Sequence, residues 1–494
     1  MASLLKKNNS TFLVNILTPF LFGAINFLSF APFDFKFLAI ISYGYVAYLF
    51  KQELSIRSLF SRLFIWGFAF WIFGTGWIIV SIYYYGNISI YLSFIAIVLL
   101  SIFLAIVFIT PLALFNNLIK ASPISLKAVV FASCFLVIEL LRYFLFGGFP
   151  WLSPGLIVID TFYQIGIPFI GVFGMSFFIY YFAYFFINET LPGTSIKLIL
   201  FLLLVSLSYI EIPSKSISNS EVDINLVQPA IDLNTKYSIQ SSDDIVDSLF
   251  SHTILEPKVV NIWPETPLPF DSGHPNMGLI RNYLNQNNFT VLGGSWRFQG
   301  EKLFNTLEIY NTGDFYSKRR LVPFGEFVPL SSVFNNLFDV LELPMSYVSA
   351  GNVNKIMEIN GHKFISAICF DIAYPFSFIK VSNNYQFIVN ISNDTWFGSS
   401  YGPSQHLQIT RARAVEHNKY LLRSTNDGIS AIIDNNGTIV DKLDKGVAGN
   451  VKGKILLNDD ISFYVTHGWW LSLGIPCFII IFSYIFRRKV ENTS

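Results

Sequence analysis

Three apolar, strand-like runs each lead into a side chain suited to acyl transfer. "NIWPE" ends in Glu265, held between Pro264 and Pro267. "YSKRRLVPFGEFVP" carries Lys318 ahead of a Pro- and Gly-bearing loop that holds Glu326, and "ISAICFD" carries Cys369. A thiol nucleophile needs a base to remove its proton, and acyl transfer needs a cation or donors for the developing oxyanion. Glu, Lys and Cys would supply base, cation and nucleophile. Their order alone is weak, because any long chain contains all three, and a lone cysteine closing a buried strand is usually inert packing. The chain has 3 cysteines in 494 residues, and the other two, Cys134 and Cys477, sit in long apolar segments. This gives no disulfide framework and no paired spacing for zinc. The histidines (His252, His274, His362, His406, His417 and His467) show no metal-ligand spacing and read as surface or packed residues.

The elements that must hold these side chains lie in residues 215–464, where strand-like and helix-like stretches alternate. "VDINLVQP", "KVVNIWPE", "FTVLGGSW", "LFNTLEIYN", "KFISAICFD" and "YQFIVNISND" are rich in Val, Ile and Phe and predict buried strands. "SQHLQITRARAVEHNKY" predicts an amphipathic helix, and "GISAIIDNNGTIVDKL" a hairpin with an Asn-Asn-Gly turn. Buried sheets layered with helices make an α/β sandwich, whose chemistry gathers at strand ends and the loops beyond them.

The remaining chain is of another kind. Hydrophobic residues make up 53% of the sequence and charged residues 13%, where soluble domains carry about 25% charge. A spanning helix needs about 20 apolar residues. Candidates lie at 11–30, 37–50, 61–84, 88–116, 126–146, 165–187, 196–212 and 466–486. Lys6, Lys7, Lys51, Arg57, Arg62, Lys120, Lys127, Lys197, Arg487, Arg488 and Lys489 flank them on one side, against Lys36 and Lys215 on the other. The positive-inside rule puts the first set in the cytoplasm and residues 215–464 outside it. Lys6-Lys7 before an apolar run also resembles a secretory signal. The run is long for one and lacks a small-residue cleavage site, so a retained helix is expected. In "FLVIELLRYF", Glu139 and Arg142 share a helix face, and read either as a functional pair or as a structural one. A net charge of +1 leaves no basic surplus for nucleic acid.

"WPE", then the lysine followed by "LVPFGEFVP", then a cysteine closing an apolar strand, then "NISNDTWFG", resemble the nitrilase superfamily. The longer strings "LVPFGEFVPL", "NISNDTWFGSSYGPSQHLQ" and "LLRSTNDG" resemble the bacterial apolipoprotein N-acyltransferase family, and the resemblance covers essentially the whole chain. It implies a membrane α-helical bundle of eight spans joined to an α/β nitrilase-like α-β-β-α sandwich ectodomain. Residues 1–213 would form seven spans, 214–464 an extracytoplasmic catalytic domain, and 465–494 the final span and cytoplasmic tail, all in the bacterial inner membrane. The implied reaction moves a fatty acyl chain from a phospholipid, typically phosphatidylethanolamine, to the α-amino group of the N-terminal diacylglyceryl-cysteine of an apolipoprotein. It passes through a thioester and is the last step of lipoprotein maturation. The family triad falls on Glu265 as general base and then acid, Lys318 as the cation for the tetrahedral intermediate, and Cys369 as nucleophile. Glu326 matches a second acidic residue near the site, and Asn305 a family asparagine. Phe370-Asp371 stands where many members have Tyr-Glu, and Tyr237 where Trp is common; all three are expected to support the site or hold lipid. No metal, cofactor or ATP is implied. The expected partners are the phospholipid donor, the apolipoprotein and the membrane, with the protein a monomer and no nucleic acid involved.

Both substrates of such a reaction are lipids, so a site at the bilayer surface is expected. Between Pro329 and Pro344, Val333, Phe334, Leu337, Phe338 and Leu341 share one helical face. That helix reads equally as an interfacial lid, hinged by the small residues of 345–352, or as a helix packed into the sandwich. The loop "FGGFPWLSPG", with Trp151, is a second candidate contact on the outer face. A membrane-anchored nitrilase-type amidase would use the same triad without needing seven spans. A transporter or receptor would need broken helices around a midplane site and would leave the triad without a purpose.

Overall fold

A computed structural model describes residues 13–86, 88–187, 194–207, 220–232, 236, 242–327, 348–379 and 385–493. The chain divides into two compact units, Met1–Ile212 with His467–Ser494, and Pro213–Thr466.

The first unit is helical. Among the described residues, five helical stretches are long and apolar enough to cross a membrane: Ile56–Gly74, Ile90–Ala121, Lys127–Gly147, Phe162–Ile187 and Tyr464–Ile485. Asn15–Ser29, Phe37–Lys51 and Ile196–Leu207 are shorter apolar helices. The segment expected as one span at 61–84 is divided. Its α-helix ends at Gly74, where the Thr75 hydroxyl folds back onto the Trp71 carbonyl at 2.7 Å, and helix resumes at Ile78. Two glycines around Thr75 weaken the helix there. Glu139 and Arg142 form an enclosed pair: the Glu139 carboxylate accepts from Tyr180 Oη at 2.8 Å and Ser176 Oγ at 3.3 Å, and Arg142 donates to Ser153 Oγ at 3.2 Å. These bonds tie neighbouring helices together, which favours the structural reading of the pair. Trp151, in the loop expected as a second contact on the outer face, is itself buried, with Trp77 at 5.4 Å between ring centroids.

The second unit is a sandwich of two six-stranded sheets. The first runs β12 (Gly449–Leu456), β1 (Glu221–Gln228), β2 (Val260–Ile262), β3 (Thr290–Gln299), β4 (Lys302–Ile309), β5 (Phe315–Ser317). The second runs β11 (Ile439–Leu443), β10 (Ser430–Ile433), β9 (Tyr420–Thr425), β8 (Phe387–Ser392), β7 (His362–Ile368), β6 (Ile356–Ile359). Each has three parallel strands at its centre, β1-β2-β3 and β7-β8-β9, flanked by antiparallel ones. Alternate residues point to one face of a strand. Ile224, Leu226 and Ile262 from the first sheet therefore meet Ile368, Val389 and Ile391 from the second in one buried core.

Helices Ser242–Ser251 and Pro275–Gln286 cover the first sheet through Leu249, Met277 and Leu284, packed with Trp263 and Val291. Helix Gly402–His417 packs beside β9 and adds a helical layer to the second sheet. This helix, expected to be amphipathic, is buried on nearly every face. Its charged residues are matched internally, as Arg413 and Glu416 at 2.6 Å. The expected hairpin forms between β10 and β11, with Asp434 Oδ1 accepting from the Asn436 and Thr438 amides at 2.9 and 2.8 Å.

Candidate active site

Glu265 stands just past β2. The Trp263 amide donates to the Leu292 carbonyl at 2.7 Å and the Gly294 amide to the Pro264 carbonyl at 3.0 Å, so pairing with β3 continues up to the glutamate. Gly294 is needed for this approach, because a Cβ there would lie 2.2 Å from the Thr266 nitrogen and 2.8 Å from Glu265 Cα. Glu265 is 6% exposed, and its carboxylate accepts three hydrogen bonds. Oε1 accepts from Asn305 Nδ2 at 2.7 Å and Lys318 Nζ at 3.2 Å, and Oε2 accepts from the Asn393 amide at 2.9 Å.

Lys318 follows β5, its amide bonded to the Asn305 carbonyl at 2.8 Å. Its buried ammonium also donates to Glu326 Oε1 at 2.9 Å, and Glu326 Oε2 accepts from the Val322 amide at 2.8 Å. Burial alone would pull the Lys318 ammonium down, but Glu265 and Glu326 more than offset it and hold its pKa well above the usual lysine value. Asn305, which is 2% exposed, lies beneath both carboxylates, with Nδ2 also 3.5 Å from Glu326 Oε1. The expected Glu265, Lys318, Glu326 and Asn305 therefore form one cluster.

Cys369 opens a 3₁₀ turn, Cys369–Ala373, directly after β7. Its φ of +48° is in the left-handed region, uncommon for a residue with a side chain. Its thiol interacts electrostatically with both Glu265 and Lys318. Burial pushes the thiol up to about 12 and the Glu265 carboxylate adds to this, while Lys318 and the Ser392 hydroxyl oppose it. Such a thiol is protonated at neutral pH, so its attack requires a base that takes the proton as the sulfur adds. Glu265 and Lys318 are the carboxylate and the cation whose charges act on this thiol.

The supporting positions fall differently. Phe370 is buried edge-on against Tyr374, at 5.3 Å between ring centroids. Asp371, expected to support the site or hold lipid, is turned inward with 1% exposure. It accepts from Tyr316 Oη at 3.0 Å and from the Arg320 and Ile368 amides at 2.6 and 3.3 Å, and so ties the Lys318 segment to the Cys369 turn. Burial raises its carboxyl to about 6, against the pull of Lys318. Tyr237 lies outside the described residues, as do residues 328–347 of the expected lid helix. The described end of that segment is fastened beside the site: the Ser349 amide bonds to the Leu303 carbonyl at 2.7 Å and the Gly351 amide to the Lys318 carbonyl at 2.8 Å.

Sequence reasoning missed Lys236, whose Nζ bonds the Thr266 carbonyl beside Glu265, and the buried trio Asp394, His406 and Arg423 behind Cys369. The trio lies in "NISNDTWFGSSYGPSQHLQ" and "LLRSTNDG"; the presence of all three in the strings that carry the family resemblance was the available signal. Among the described residues, no group of three or more His, Cys, Asp or Glu is arranged to hold a metal ion.

Comparison with known proteins matches residues 22–185 to the family described as Apolipoprotein N-acyltransferase N-terminal domain, and residues 259–459 to Carbon-nitrogen hydrolase. An apolipoprotein N-acyltransferase of Pasteurella multocida is 31% identical over 520 residues, covering 98% of either chain. That of Haemophilus influenzae is 31% identical over 461 residues, covering 87% of this chain and 86% of its own. A solved CN-hydrolase superfamily protein from Xanthomonas campestris covers 48% of this chain and 91% of its own, at 18% identity and a TM-score of 0.37.

Proposed function

The chain belongs to the apolipoprotein N-acyltransferase family, and on that premise we propose how its residues carry out lipoprotein N-acylation. Cys369 Sγ attacks the ester carbonyl of a phospholipid, phosphatidylethanolamine being the expected donor, while Glu265 takes the thiol proton. The oxyanion of the tetrahedral intermediate forms beside the Lys318 ammonium. As the intermediate collapses, Glu265 returns the proton to the departing alkoxide, lysophospholipid leaves and the acyl chain remains on Cys369 as a thioester. The α-amino group of the diacylglyceryl-cysteine of an apolipoprotein then attacks the thioester. Glu265 takes the amine proton and passes it to the departing sulfur, giving the amide and a free thiol. Glu326 and Asn305 hold Lys318 and Glu265 in register.

In this reading the five long apolar helices and the three shorter ones make eight crossings. The alternation of basic residues then places residues 214–464 on the extracytoplasmic side of the bacterial inner membrane.

The observation that carries the proposal is the meeting of Glu265, Lys318 and Glu326 around one buried ammonium, with the Cys369 thiol in electrostatic reach of it. Incubation of the full-length protein with phospholipid should give a Cys369 acyl adduct in the mass spectrum that hydroxylamine removes. Cys369→Ala should show neither adduct nor transfer. A Cys369→Ala protein that still acylates apolipoprotein would end the reading.

A further inference from the structure

Three buried ionisable residues have no task in this mechanism. Asp394 lies just past β8, His406 on helix Gly402–His417 and Arg423 on β9, with exposures of 0%, 1% and 0%. Arg423 NH2 donates to Asp394 Oδ2 at 2.7 Å and lies 3.0 Å from His406 Nδ1. His406 Nδ1 is also 3.1 Å from Asp394 Oδ1, which accepts from Ser392 Oγ at 2.7 Å. On the far edge of the ring, His406 Nε2 is 3.3 Å from the carbonyl oxygen of Cys369. Arg423 is itself anchored by Asn390 Oδ1 and by Thr410 Oγ1, the latter at 3.2 Å.

Burial, with the Arg423 charge beside it, lowers the pKa of His406, so the ring is neutral at pH 7 and carries one proton. A proton on Nδ1 would face the Arg423 donor and leave Nε2 as a bare acceptor against the Cys369 carbonyl, two mismatches. A proton on Nε2 lets Arg423 donate to Nδ1 and the ring donate to the carbonyl, leaving only the Nδ1–Asp394 contact without a proton. Asp394 stays ionised: burial would raise its carboxyl, but the Arg423 charge beside it holds it well below the usual range. Arg423 thus selects the tautomer that points a donor at Cys369.

We infer that His406 is a positioning residue for the nucleophile, its Nε2–H holding the Cys369 carbonyl and so the left-handed backbone that aims the sulfur. Because the peptide is planar, fixing this carbonyl also fixes the direction of the following amide. The inference rests on Cys369 being the nucleophile. It also gives two of the family strings a physical task at the site.

The test is the single-turnover rate of thioester formation on Cys369, in full-length detergent-solubilised protein at saturating phospholipid. His406→Ala should slow it on the order of 10²-fold, the scale of a misaimed reacting group. His406→Gln, whose amide nitrogen reaches the Nε2 position, should recover most of the rate. His406→Asn, whose amide reaches only Nδ1, should not. Thermal melting of each variant separates lost folding from lost aim, and where His406→Ala does not fold the Gln and Asn pair decides. Wild-type acylation by His406→Ala, or equal rates for Gln and Asn, would overturn the inference. Cys369→Ala run alongside keeps the two questions apart: transfer by that variant overturns the nucleophile itself.

Discussion

A thiol raised to about 12 is protected from adventitious chemistry and must be switched on by its neighbours. With Cys134 and Cys477 replaced by alanine, alkylation of Cys369 by iodoacetamide should climb about tenfold per pH unit from pH 7 to beyond 10. An ordinary cysteine levels off near 9, so a plateau below about pH 9.5 would contradict the raised thiol. Glu265 is one of the groups holding the thiol up, so Glu265→Gln should lower the thiol's pKa and speed alkylation at fixed pH. The same substitution removes the base, so acyl transfer should fall by roughly 10²–10⁴-fold. Opposite movement of the two rates distinguishes a base from a mere packing neighbour.

At the scale of elements, the site depends on turns that put strand ends close together. Thr266, Phe324 and Cys369 all adopt positive φ, one in each of the turns that follow β2, β5 and β7, a backbone conformation that the surrounding structure must hold in place. Asp371 is part of that hold. Asp371→Ala strands the Arg320 and Ile368 amides and the Tyr316 hydroxyl in the interior, at a cost of about 1–3 kcal/mol per unsatisfied group. Its carboxyl sits at about 6, above the ordinary 3.8, so the native state binds this proton more tightly than the unfolded chain. Asp371 therefore contributes most below about pH 4, and its contribution falls as pH rises to about 6. The thermal-stability advantage of wild type over Asp371→Ala should shrink across that window and then stay level. An advantage that grew with pH would contradict the assignment. The strand ends at Glu265 and Cys369 were legible because a buried strand leaves a continuous apolar run that stops at the reactive residue. The inward hold of Asp371 was not, since its partners, the Tyr316 hydroxyl and the Arg320 and Ile368 amides, lie 55, 51 and 3 residues away and leave no local pattern. His406 read as a packed histidine for a similar reason. Its meaning depends on β7, β8, β9 and a helix converging, and no local spacing encodes that.

For the whole molecule, topology decides which compartment the thiol meets. Within the helical unit, Lys51 Nζ bonds the Ile187 carbonyl at 2.9 Å and Lys120 Nζ bonds the Gln52 carbonyl at 2.9 Å. Lys36, at the opposite end of helix Phe37–Lys51, bonds the Ile159 carbonyl. Two of the lysines assigned to the cytoplasm thus gather at one end of the bundle, and the exceptional Lys36 lies at the other, as alternating crossings require. Of the proposed crossings the short ones are the least secure, Ile196–Leu207 above all, because 12 residues rise only about 18 Å against a hydrocarbon core near 30 Å. Whether that segment crosses decides on which side the sandwich stands. Alkaline phosphatase, active only outside the cytoplasm, should be inactive when fused after residue 187, active after residue 213 and inactive again after residue 490. An inactive fusion at 213 would mean that the segment after 196 does not cross, and would put Cys369 in the cytoplasm, on the wrong side of the membrane for the proposed reaction.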